Sequence, residues 1–149
     1  MSTPAGATTP IDTSAFEIRV NSPDTEELSA ADMRRLFPGS ALTGSRLNRL
    51  HEWPRVSVVC GNQIVAVATC QKTDTELRAA DVGIDGSCGC SLRVVLDMLV
   101  DALELAGLAG GCRRLILMPP SGSPDLLERR GFTAISERCA GGWLEKPLV

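Results

Sequence analysis

Between residues 92 and 106 the chain carries four polar side chains, Arg93, Asp97, Asp101 and Glu104, spaced 4, 4 and 3 apart. Wound as an α-helix, that spacing gathers them into one narrow stripe and leaves the rest of the surface apolar. Such a helix must be heavily buried, as when it lies across a sheet. Gly107, Gly110 and Gly111 close it.

The sheet is written on either side. Arg55–Cys60 and Gln63–Lys72 read as strands joined by Gly61-Asn62, a two-residue hairpin signal. A third strand over 76–85 follows a turn at Thr73-Asp74, which makes an antiparallel meander. Upstream, residues 16–20 alternate as a first strand. Ser22-Pro23-Asp24 opens a helix that carries Met33, Leu36 and Phe37 and ends at Pro38-Gly39. A second helix spans 43–52, with Leu47 and Leu50 inward and Pro54 as its stop. Downstream come a strand over 113–118 and a break at Pro119-Pro120. A short helix follows, capped by Ser123-Pro124-Asp125 and ended by Arg129, Arg130 and Gly131. Strands over 132–137 and 143–148 close the chain. The expected order is β α α β β β α β α β β, an α/β (α+β) domain with a mixed, mostly antiparallel sheet. The unit from the third meander strand through the long helix to the next strand should be a parallel crossover.

In 149 residues, 44% are apolar and 22% charged, which suits a single globular domain over 16–149. Residues 1–15, rich in Thr, Pro, Ser and Ala, are expected to form a disordered tail and carry no secretory signal pattern. A net charge of −3 offers no electrostatic footprint for nucleic acid or an anionic membrane, and no apolar run is long enough to span a bilayer. Six cysteines without an export signal are expected to be reduced thiols in a cytoplasm. Cys88-Gly89-Cys90 has no second pair to complete a zinc site, so no metal is expected. Small residues in a tight turn account for it.

The place with most chemical promise is Gly86-Ser87-Cys88-Gly89-Cys90-Ser91, a small-residue turn leading into the long helix. The unpaired N–H groups of a first helical turn and the positive end of its dipole make an anion site. Two glycines let the backbone approach a phosphate closely. A plain strand-to-helix turn is the alternative. The single histidine, His51, reads as a helix C-terminal cation. Arg34, Arg35, Arg46 and Arg49 cluster on the two early helices and read as a solvated face.

In order and spacing, four stretches resemble the GNAT acyltransferase superfamily. They are Asp81-Val82-Gly83-Ile84-Asp85, Gly89-Cys90-Ser91-Leu92-Arg93-Val94-Val95, Pro124-Asp125-Leu126-Leu127-Glu128-Arg129-Arg130-Gly131-Phe132, and Gly142-Trp143-Leu144-Glu145-Lys146-Pro147-Leu148. The resemblance implies a GNAT-like fold and transfer of an acetyl group from acetyl-CoA to an amine of a small molecule or protein. Its co-substrate would lie in a gap where the third meander strand and the next strand part. The main chain of Val82, Gly83 and Ile84 would pair with the pantetheine arm. N–H groups of Gly86, Ser87, Gly89, Cys90 and Ser91 would hold the pyrophosphate, and Leu126 and Leu127 would flank the sulfur end. Asp81, set among small apolar neighbours, is the first candidate base and Glu76 the second. For both, a solvated strand carboxylate is the alternative. The family's leading Gln or Arg of the pyrophosphate loop is Gly86 here, its acid tyrosine falls at Leu127, and the chain has no Tyr. A catalytically degenerate GNAT-like domain, acting as a binding or regulatory module, is therefore the second reading. A homodimer is compatible with either.

Overall fold

The structure is a computed structural model that describes residues 16–21, 28–38, 44–86, 91–118, 124–135 and 143–148. Its elements run β1 (Phe16–Asn21), α1 (Ala30–Leu36), α2 (Gly44–Glu52), β2 (Arg55–Cys60), β3 (Gln63–Lys72), β4 (Glu76–Ile84), α3 (Leu92–Ala109), β5 (Arg114–Leu117), α4 (Pro124–Glu128), β6 (Thr133–Ala134) and β7 (Leu144–Pro147). The seven strands among the described residues form one sheet in the order β1-β2-β3-β4-β5-β7-β6. β4 and β5 pair parallel across the α3 crossover, as expected, and the remaining pairs are antiparallel.

α3 lies across one face of the sheet. Val95, Leu96, Leu99, Val100 and Leu103 are buried there against Val56, Val58, Ala66, Ala68, Leu77 and Leu115. α1 and α2 cover part of the other face, where Met33, Leu36, Phe37 and Leu50 meet Val59, Ile64 and Val67. The strand alternation sorts these two sets, because successive side chains point to opposite faces.

Several bounds differ from expectation. The first helix does not run on from Ser22-Pro23-Asp24, which lies outside the described residues. Leu28 and Ser29 are not helical, and Ser29 caps α1. The Ser29 side chain accepts from the Asp32 N–H while the Asp32 carboxylate accepts from the Ser29 N–H, a reciprocal box that starts the helix there. α3 runs through Gly107 to Ala109, with Gly110 as its cap. Gly107 is inside because a Cβ on it would stand 2.6 Å from Leu148 Cδ1, so its bare backbone lets β7's end come close. β6 has just two residues. Among the described residues no helix is long and apolar enough to cross a membrane, and no group of three or more His, Cys, Asp or Glu could hold a metal.

Candidate functional site

The candidate site is built from the far end of β4, beyond its described pairing with β5, and an irregularity beside it. β4 pairs with β5 up to Ala79 opposite Leu117, and the Met118 N–H reaches the Ala79 carbonyl at 3.1 Å. Beyond Ala79, β4 runs on to Ile84 against β3, while no described strand pairs with its other edge. The Asp85 N–H bonds to the Val65 carbonyl across β3 at 2.9 Å. Strand alternation therefore turns the main-chain groups of Val82 and Ile84 to the open edge. Their side chains are buried on the α3 face.

The parity that exposes those amides is set by a β-bulge. Ala68 faces Val82 but Cys70 faces Ala79, so Thr69 stands opposite both Ala80 and Asp81. Thr69 closes the irregularity. Its hydroxyl accepts from the Asp81 N–H at 3.0 Å and donates to Asp81 Oδ2 at 2.8 Å. The Asp81 side chain is 1% exposed. Arg49 grips both of its oxygens, Nε to Oδ2 at 2.7 Å and Nη2 to Oδ1 at 2.9 Å, and Arg46 Nε donates to Oδ1 at 3.2 Å. Burial pushes the Asp81 carboxyl up, but the bonds from Arg49 and Thr69, the Arg49 charge and the Arg46 bond outweigh it and hold the group below the usual carboxylate range. A carboxylate held this way binds a proton poorly. It suits an anchor between α2 and the bulge better than a proton acceptor.

Glu76 is paired in the same manner and is not the solvated strand-end carboxylate considered above. It accepts from Arg114 Nη2 at 2.6 Å and Arg78 Nη2 at 2.8 Å. Burial raises its carboxyl, and the two guanidinium groups lower it further than burial raises it. Arg114 continues to Glu145 at 2.8 Å, so Glu76 sits in a chain of ion pairs across β4, β5 and β7, on the far side of the β4–β5 pairing from the open edge. The two candidate bases are thus not brought together.

Gly83 is bare for a packing reason. A Cβ there would stand 2.8 Å from the Leu36 carbonyl oxygen and 2.7 Å from Phe37 Cζ, so the end of α1 lies directly on β4. Gly86 is exposed and has open space where a Cβ would go. Ser91 caps α3 in extended conformation without a side-chain bond to the helix, and the first helical bond runs from the Val95 N–H to the Ser91 carbonyl. The N–H groups of Leu92, Arg93 and Val94 thus precede the helical ladder. Ser87, Gly89 and Cys90, with Cys88, lie outside the described residues. Leu127 is fully buried in the α3-side core and Leu126 packs partly buried against it.

Sequence reasoning missed Thr69, the pairing of Arg46 and Arg49 with Asp81, and a second anchor where Arg35 Nε stands 2.8 Å from Asp85 Oδ2. The basic cluster is therefore no simply solvated face: three of its four arginines tie α1 and α2 to acids on or just after β4. The one hint in the sequence was a pair of aspartates flanking Val82-Gly83-Ile84 with basic helices upstream.

No protein-family model matches the sequence, and no curated protein matches it. Solved structures do. Ard1 from Thermoplasma volcanium superposes with a TM-score of 0.64 at 15% identity, over 91% of this chain and 99% of that one. Aminoglycoside 6'-acetyltransferase type Ii gives 0.67 at 15%, over 89% and 97%. A GNAT family acetyltransferase from Elizabethkingia anophelis, solved with acetyl-CoA bound, gives 0.63 at 9%, over 89% and 98%. At these identities the likeness speaks to the path of the chain. With the mixed seven-stranded sheet and the α3 crossover, it gives this protein the fold of the GNAT acetyltransferases.

Proposed function

We propose that this chain is an acyl-CoA-dependent N-acetyltransferase that passes an acetyl group from acetyl-CoA to an amine by direct attack. The observation that supports this most is the open edge of β4 beyond Ala79, with the amides of Val82 and Ile84 turned into it. Acetyl-CoA supplies the thioester carbonyl and an amide-bearing arm. In this reading the main chain of Val82, Gly83 and Ile84 pairs with that arm as a further strand would. The start of α3, with Gly86, Ser87, Gly89, Cys90 and Ser91 ahead of it, takes the pyrophosphate. Leu126 and Leu127 close the gap from α4.

The Val82 N–H is the donor proposed for the charge that gathers on the carbonyl oxygen during attack. Its direction depends on the bulge, so Thr69, Asp81, Arg46 and Arg49 act as positioning residues. The departing thiolate, with an ordinary pKa of about 8.5, needs little help from an acid, which fits a chain without tyrosine. Asp81 and Glu76 remain the carboxylates proposed from the sequence as bases, and their ion pairs favour the anchoring role instead. An attacking amine would then give its proton to water. Holding both substrates in one gap supplies the proximity.

The second reading, a degenerate module that binds without chemistry, is favoured by the commitment of both carboxylates to arginines. Thiol release from acetyl-CoA over a panel of small amines and peptide N-termini, run beside calorimetric titration of acetyl-CoA, separates the two. Heat with amine-dependent thiol release supports the enzyme. Heat without release across the panel supports the module, and neither signal at high micromolar concentrations removes both.

A further inference from the structure

Among the described residues β1 stands at the edge of the sheet and pairs on one side, with β2. Exposed edge strands are usually blunted by proline, by charged side chains, by a bulge or by shortness. β1 has no proline in its six residues, Phe-Glu-Ile-Arg-Val-Asn, and its two charges, Glu17 and Arg19, are of opposite sign. Two of its apolar side chains are exposed, Ile18 at 40% and Val20 at 66%. They face the α3 side, since Ile18 and Val20 stand opposite Val58 and Val56, and they form one wall of an apolar groove of about 450 Å³. Met98, Ala102 and Leu105 of α3 form the other wall, with Leu105 67% exposed.

The pattern of β1 is complementary to itself. Turned antiparallel about Ile18, a second β1 puts Ile18 against Ile18, Phe16 against Val20, and Glu17 against Arg19 on both sides of the axis. Glu17 and Arg19 now pair within the strand at 3.2 Å. In the antiparallel arrangement each also faces the opposite charge of the other copy. Directly opposed residues lie on the same face of a sheet, so the two grooves would meet and the two α3 helices would flank one apolar seam.

We propose that the edge of β1 on which no described strand pairs, and the groove beside α3, are the seat of a second copy of this chain, paired antiparallel through Ile18 into one continuous sheet. The partner is a second copy because the charge order Glu17, Ile18, Arg19 matches its own reverse. This interface is independent of acyl transfer, since β1 and the far end of β4 lie at separate places in the sheet.

Sedimentation of the full chain over a range of concentrations tests it. The expected species is twice the 15.8 kDa chain mass. Glu17→Lys places like charges opposite each other twice and should weaken the dimer roughly tenfold or more. Arg19→Glu added to Glu17→Lys restores both opposed pairs and should restore the dimer. Ile18→Lys, at an exposed position, should give a monomer with unchanged circular dichroism. A wild-type chain that sediments as a monomer at all concentrations overturns the proposal. A dimer indifferent to Glu17→Lys and Ile18→Lys overturns it equally.

Discussion

Thr69 and Asp81 carry more of the site than their size suggests. Each satisfies the other, and together they replace the ladder bond that the bulge removes. Asp81→Asn keeps the shape but leaves Arg46 and Arg49 facing a neutral amide. Because both arginines are about a quarter exposed, solvent screens part of the loss, and the expected destabilisation is about 1–3 kcal/mol by urea unfolding. Thr69→Val removes the hydroxyl's two bonds at nearly constant volume and should cost about 1–2 kcal/mol. The two losses overlap, so the double variant should be less destabilised than their sum. If the bulge aims the Val82 N–H, Thr69→Val lowers kcat for acetyl transfer and leaves KM for acetyl-CoA nearly unchanged. Were Asp81 the base instead, Asp81→Asn would abolish turnover and Thr69→Val would leave kcat near wild type.

Among the elements, two glycines separate backbone from side-chain obstruction. Gly83→Ala drives a methyl into the Leu36 carbonyl oxygen and the Phe37 ring, which cannot swing away without moving α1 off the sheet. A loss of about 1–3 kcal/mol is expected. Gly107→Ala meets the tip of Leu148, a flexible side chain, and alanine favours the helix by about 1 kcal/mol. Its net change should stay within about 1 kcal/mol, and thermal unfolding of both variants checks the contrast. β2 and β3 were legible to the residue because the Gly61-Asn62 turn is a local signal, with Gly61 at φ +64°. The start of α3 was legible because a small-residue turn and an apolar period meet there. The bulge was not, since Ala79-Ala80-Asp81-Val82 reads on as one strand and the extra residue of β4 shows only in its pairing. The arginine anchors were hidden for another reason. Arg46 and Arg49 reach Asp81 from 35 and 32 residues away, and no local pattern encodes that distance. A gap between β4 and β5 is an expectation of the resemblance, not of periodicity.

For the molecule as a whole, Asp32, Glu76 and Asp81 share one consequence. In each, burial acts to raise the carboxyl and arginine partners outweigh it, helped by Ser29 at Asp32 and Thr69 at Asp81, so the folded state holds these groups below their ordinary values. The unfolded chain therefore takes up protons first as pH falls. The stability these groups lend is complete above the ordinary carboxylate values, near 4, and drains as pH drops through them. Urea midpoints should fall between about pH 5 and pH 3, and Asp81→Asn should flatten that slope. Cys70, whose thiol burial pushes to about 12, should stay unreactive to alkylating reagents until the fold opens.

The proposed acetyl-CoA site consists of main-chain amides at the open edge of β4. Amide-resolved NMR during titration with acetyl-CoA reads them directly. Large shifts at Val82 and Ile84, with further shifts over Ser91 to Val94, are predicted well before millimolar ligand. A spectrum in which those amides hold still at millimolar acetyl-CoA would contradict it.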